Sequence, residues 1–272
     1  MEISIEDLYE DVLAKSARGL GLSAGQLAES TGLEKEEIRG ALRGEFVEEQ
    51  ARKLAPVLNL DADALVLLGE KYWRPLPVDI PGLACFNTPF EDMEVNAFLL
   101  WDPATKDAAI FDSGADASGM IEFIRSKALK AHGVWVTHTH RDHIEDLQAI
   151  VKAFDCPIHV AEKEMANFGN AFSAGTSFHL GGLHIETRLT WGHAMGGTTF
   201  VATGLQRPVA IVGDALFAQS MGGGMVSYKD ALSTTFSEIF SLPEDTIICP
   251  GHGPMTSVAE EKKVNPFFAA NF

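Results

Sequence analysis

Thr137-His138-Thr139-His140-Arg141-Asp142-His143 places three histidines and an aspartate within six residues, directly after the short apolar run Val134-Trp135-Val136. In an extended chain, side chains two apart point the same way, so His138 and His140 can face one point. Asp142 and His143 follow where the chain turns toward a helix and can swing to an adjacent point. Bases packed this closely suit a divalent cation, zinc or the similarly charged iron and manganese. Coordination also keeps the imidazoles unprotonated. Four donors in one loop are too few for two ions, so the rest of the chain should supply partners. His193 in Trp191-Gly192-His193, Asp214 in Gly213-Asp214 and His252 in Pro250-Gly251-His252-Gly253 each follow an expected strand. A glycine beside each lets the backbone come close to a crowded ion pair.

The elements that must position these residues change character along the chain. Residues 1–70 read as helices only. Ser4 with Asp7, and Ser23 with Gln26, are spaced as capping pairs, and Ile5, Leu8, Val12 and Leu13 fall on one helical face. Helices are expected from 23 to about 30, over 33–42, over 46–58 and over 61–68. Residues 71–92, with Pro75, Pro77, Pro81 and Pro89, read as a linker or wrapping segment. From 93 to 272 strands and helices alternate. Strands are expected at 95–101, 108–111, 134–136, 158–160, 183–189, 198–202, 209–212 and 246–249, with helices at 119–130, 144–154 and 229–242. That order predicts an α/β fold of two packed sheets flanked by helices.

Composition narrows the function classes. The 272 residues carry a formal charge of −17. A surface that negative repels phosphate backbones and anionic lipid heads, so neither nucleic acid nor membrane is expected as the main partner. The acidic opening Met1-Glu2-Ile3-Ser4-Ile5-Glu6-Asp7 is unlike a secretory signal. Cys85, Cys156 and Cys249 are odd in number and far apart, which fits a reducing compartment. A cytoplasmic protein is the expectation. His132, His159, His179 and His184 are read as structural, and Cys249 as a packed strand thiol.

Two resemblances follow from these residues. LSAGQLAESTGLEKEEIRGALRG, with Leu27, Ala28, Gly32, Leu33, Ile38 and Leu42 at core and turn positions, resembles helix-turn-helix domains of phage-repressor type. The second of its helices opens Glu34-Lys35-Glu36-Glu37, which would push carboxylates at a groove, so DNA is not expected as a partner. A packing or dimerisation module is the preferred reading, and a homodimer is left open. From about residue 95 onward, FDSGAD with Asp112, THTHRDH, WGH, VGDALF with Asp214 and CPGHGP resemble the metallo-β-lactamase-fold hydrolases, and within them the glyoxalase II-like branch. The resemblance implies an αββα sandwich preceded by a small all-α domain. It implies that His138, His140 and His193 hold one metal, that Asp142, His143 and His252 hold a second, and that Asp214 bridges them. Asp112 would buttress the metal loop.

Two divalent ions, zinc before iron or manganese, would make hydroxide available at neutral pH. The expected activity is therefore a binuclear hydrolase of thioesters or related esters, working through a metal-bridging hydroxide. Asp142 is the catalytic candidate, aiming that hydroxide, and the partner is a small-molecule substrate. Glyoxalase II enzymes proper supply basic residues to glutathione from a C-terminal helical region that is not expected after His252. The loop beyond Asp214 reads Met221-Gly222-Gly223-Gly224-Met225, with no cation before Lys229. Tyr228 and Lys229 are weighed as partial replacements against a plain helix start. Two other readings stay open: a mononuclear iron persulfide dioxygenase of the same fold, using His138, His193 and Asp214 but lacking the arginine expected in that loop, and a ligand-sensing regulator whose helical domain binds a partner.

Overall fold

The computed structural model describes residues 3–272. Five helices come first: α1 (Tyr9–Leu20), α2 (Ala24–Thr31), α3 (Lys35–Ala41), α4 (Glu48–Val57) and α5 (Ala62–Glu70). Ser23 caps α2 as its spacing predicts, accepting from the Gln26 N–H. The expected pairing of Ser4 with Asp7 does not form. Helix α1 starts only after Leu8, whose N–H donates to Asp11 at 2.9 Å, because Asp7 is drawn into a tertiary ion pair with Lys15. Val12 and Leu13 are buried as that face requires, whereas Leu8 is exposed.

The strands β1 (Leu83–Phe90), β2 (Met93–Trp101), β3 (Asp107–Phe111), β4 (Lys130–Trp135), β5 (Ile158–Ala161) and β6 (Asn170–Phe172) form one sheet in that order. A second sheet runs β12-β11-β10-β9-β8-β7, from β7 (Ser177–Leu180), β8 (Leu183–Leu189), β9 (Thr198–Thr203), β10 (Val209–Gly213), β11 (Ile247–Pro250) and β12 (Thr256–Ser257). Part of the expected linker is therefore strand β1. Its Pro89 is tolerated because β1 is an edge strand, free of ladder bonds on one side.

Alternation along the strands sets the layers. In β2 and β3, Phe98, Leu100, Ala109 and Phe111 meet Phe200, Ala202, Val209 and Ile211 of the second sheet. Ala97, Leu99, Ala108 and Ile110 point the other way, onto α6 (Ser118–Ser126) and α8 (Leu147–Phe154), which follows the single turn α7 (Arg141–Ile144). The outer face of the second sheet (Val201, Ala210, Val212, Ile248) packs on α9 (Tyr228–Glu238) and α10 (Val258–Val264). The same apolar cluster takes in Val12, Leu13, Leu54, Leu58 and Leu65 of the first five helices. Helices of both chain ends thus share one outer layer. None of the helices described is long and apolar enough to cross a membrane.

Candidate metal centre

Strand β4 ends at Trp135, and its parallel neighbour β3 ends at Phe111. The residues just beyond these two strand ends meet. Asp112 sits at φ +59, outside the usual strand region, with its N–H donating to the Trp135 carbonyl. Its carboxylate accepts from the Thr137 N–H and hydroxyl, both at 2.7 Å, and from His143 Nδ1 at 2.8 Å. The loop is thereby folded back on itself before α7 begins. His140 stands as the extended residue ahead of that turn, so His138 and His140 are presented from extended chain while Asp142 and His143 come from the helix.

The seven side chains named from the sequence converge in two groups. Ligand atoms of His138, His140, His193 and Asp214 lie within 4.8 Å of one another, and so do those of Asp142, His143 and His252. For His193, His252 and His138, a hydrogen bond at the far side of the ring chooses the tautomer that leaves a lone pair facing inward. His193 Nδ1 donates to the Gly223 carbonyl at 2.8 Å, and His252 Nδ1 to the Glu94 carbonyl at 2.6 Å. His138 Nδ1 donates to Thr137 Oγ1 at 3.1 Å, since that hydroxyl already gives its proton to Asp112.

Neutral donors so arranged repel each other unless a cation stands among them. His140 Nδ1 lies 2.9 Å from both His138 Nε2 and His193 Nε2, and one ring nitrogen cannot satisfy two others. His143 Nε2 and Asp214 Oδ1 are buried and have no hydrogen-bond partner, although only 3.3 Å separates them. Charge argues in the same direction. Burial works against a charge on His252, yet Asp214 and Asp142 outweigh it and lift its pKa to about 11. Burial likewise opposes charge on His143, and Asp214 with Asp112 raise it to about 10. His138, desolvated and beside His143, is pushed well below the usual range. The acidic side chains thus favour positive charge at His143 and His252, while burial opposes it at His138. That donor set fits divalent cations.

The sequence profile of the Metallo-beta-lactamase superfamily matches residues 91–252. The chain belongs to that superfamily. A probable metallo-hydrolase of Streptococcus pyogenes serotype M6 is 30% identical over 187 residues, covering 58% of this chain and 80% of the relative. The hydroxyacylglutathione hydrolase GloC of Haemophilus influenzae is 28% identical, over 66% of this chain and 95% of its own length. The solved structure of ETHE1 from Myxococcus xanthus superposes with a TM-score of 0.60 at 22% identity, covering 69% of this chain and 85% of that one. This is a likeness of metallo-β-lactamase fold.

Several contributors carry no sequence signal. Glu164 accepts from the Thr139 N–H at 2.7 Å and hydroxyl at 2.6 Å, and from the Gly196 N–H at 2.6 Å. It ties the histidine loop to the chain just after His193, yet it sits in an ordinary charged run. Thr137 opens the THTHRDH motif, but its relay between Asp112 and His138 shows only in the fold. Tyr228 is the first residue of α9, the plain helix start that was one of its two sequence readings. Its ring lies over Gly19 of α1, where a Cβ would collide with it. Of the other histidines, His132 pairs with Asp107 at 2.8 Å and His159 stacks on Trp135, away from the cluster. Cys249 is fully buried, and burial pushes its thiol well above the ordinary range.

Proposed function

We propose that this chain is a binuclear metal-dependent hydrolase of thioesters or related esters. The observation that carries the reading is the placement of Asp214 between the two donor groups. Its Oδ2 is 3.3 Å from His193 Nε2 and 3.5 Å from His252 Nε2, and its Oδ1 is 3.3 Å from His143 Nε2. His138, His140 and His193 would hold one ion, and Asp142, His143 and His252 the other, with Asp214 common to both. Zinc suits this donor set, and iron or manganese are the alternatives. Divalent ions bound here supply Lewis acidity toward a carbonyl and lower the pKa of water from about 15.7 to near 7.

The remaining work falls to the chain. Asp142 Oδ2 lies 3.2 Å from His252 Nε2 and 3.4 Å from His143 Nε2. Burial raises its pKa, but these two histidines win and hold it below the usual carboxylate range. As a carboxylate it can accept a proton from water at Oδ1 or Oδ2 and aim the oxygen at a carbonyl carbon. Asp112, Glu94 and Gly223 keep the rings from turning. A thiolate leaves without a strong acid, which suits a site that offers none. The similarity to GloC supports a thioester. With Tyr228 packed against α1, a glutathione conjugate would lack that anchor, and substrates with fewer carboxylates fit better. The complete second donor group speaks against a one-ion dioxygenase.

The test is metal quantification on freshly purified protein, followed by a panel of thioesters, lactones and phosphoesters. Two equivalents of metal and thioester turnover are expected, with both lost in Asp214→Ala. Turnover that survives in His140→Ala with metal content unchanged would refute the mechanism.

A further inference from the structure

Asp7 and Lys15 are a charged pair withdrawn from water: Asp7 is 6% exposed, and the Lys15 side chain is 14% exposed. Charges in that setting persist only when fully engaged. Lys15 Nζ donates to Asp7 Oδ2 and, at 2.9 Å, to the carbonyl of Met221. It also stands 5.1 Å above the ring of Phe217. Asp7 Oδ2 accepts the buried hydroxyl of Ser220 at 2.5 Å. Both charges of the pair therefore reach across some two hundred residues to one loop, the one that follows Asp214.

That loop holds the third histidine. The Gly223 carbonyl fixes His193 Nδ1, and Gly222 lies so close to the Asp214 backbone and His193 that a Cβ there would overlap both. Helix α10 and the residue that follows it secure the earlier part of the loop: Glu261 accepts the Gln219 N–H at 2.9 Å, and Asn265 Nδ2 donates to the Ser220 carbonyl at 2.9 Å. Those contacts stop at Ser220. Met221 is taken up by Lys15, and three glycines follow with no side chains of their own to anchor them. Only Gly222 separates the residue whose carbonyl Lys15 holds from the residue whose carbonyl sets the His193 tautomer.

We infer that Asp7 and Lys15 are positioning residues for the metal site, acting through Met221 to hold the Gly223 carbonyl against His193. The inference rests on the metal-site reading above. On this view the N-terminal helices complete the site rather than accompany it. Lys15→Met alone strands a buried carboxylate, so the informative variant is Asp7→Asn combined with Lys15→Met, in the full-length chain. Ile38→Val, in the core of the helical block and absent from the loop contacts, controls for general loosening.

The readout is zinc retained per chain against a competing chelator, with kcat and KM on a thioester alongside. The double variant is expected to give up one zinc at about tenfold lower chelator strength, with kcat falling and KM little changed, while Ile38→Val keeps zinc as the wild type does. Wild-type zinc retention in the double variant, or an equal loss in Ile38→Val, would overturn the inference. A wild type that turns over no thioester would sink the proposed reaction, and the zinc comparison would still decide this point.

Discussion

Asp112 accepts the Nδ1 proton of His143 at 2.8 Å from a backbone held at φ +59. One carboxylate thereby orients a ring of the centre and, through Thr137, a second ring, that of His138. Replacing it with alanine leaves the Thr137 N–H and hydroxyl without acceptors. Asp112→Ala should lower stability by about 2–4 kcal/mol and metal affinity about 10–100-fold. Urea unfolding and a zinc competition assay check the two numbers.

Glycine is required at 251 by crowding. A Cβ there would overlap Asp214 Oδ1 and the His143 ring, whereas one at Gly223 meets only Met225 Sδ at 3.6 Å. Gly251→Ala should cost about 1–3 kcal/mol and bring bound metal well below the wild-type content. Gly223→Ala should leave metal content near wild type. Equal metal in both variants would show that the space around Asp214 is not what sets binding.

Glu164 joins Thr139 to Gly196 through three short hydrogen bonds. In Glu164→Gln one carboxylate oxygen becomes an NH2, which must face a donor. A loss of about 1–3 kcal/mol is expected, with weaker metal binding at the group containing His193. Thermal unfolding with and without added zinc measures both, and the ligand-induced shift should be smaller in the variant.

Glu261 makes folding stability depend on pH. It is fully buried, and desolvation raises its pKa from 4.5 to about 7 against the donors on Asn265, Thr256 and Gln219. Its folded pKa is above its unfolded one, so its contribution is complete below about pH 4.5. It declines as pH rises and is gone above about pH 7. Glu261→Gln removes this slope. The variant should gain on wild type by about 2–3 kcal/mol between pH 5 and pH 8, read as the difference in urea-unfolding free energy. A constant difference across that range would mean that Glu261 does not titrate there.

How far the sequence carried differs from residue to residue. The HxHxDH loop was legible because its donors are neighbours, and an extended chain entering a turn presents them whatever surrounds it. The strands carrying His193, Asp214 and His252 were legible from their apolar runs. Pro89 pointed to a linker because proline breaks ladders, and only the sheet order, which puts β1 at an edge, reconciles it with a strand. Asp7 looked like part of a cap for the same kind of local reason. A cap contributes about 1 kcal/mol, and a buried partner such as Lys15 outweighs it.

By itself the sequence determined the chemistry on offer: which side chains could ligate a metal, and that two sheets with helices outside them would carry those side chains. Tertiary structure alone decided how the donors are held. Asp112 meets Thr137 only through the parallel register of β3 with β4, and Glu164 meets Gly196 only through the folded loops. Lys15 finds Met221 because the first helices share an apolar layer with α9 and α10. Local spacing can arrange donors within a few residues of one another. The groups that orient them are far apart in the chain, and only burial of the common core brings them within hydrogen-bond reach.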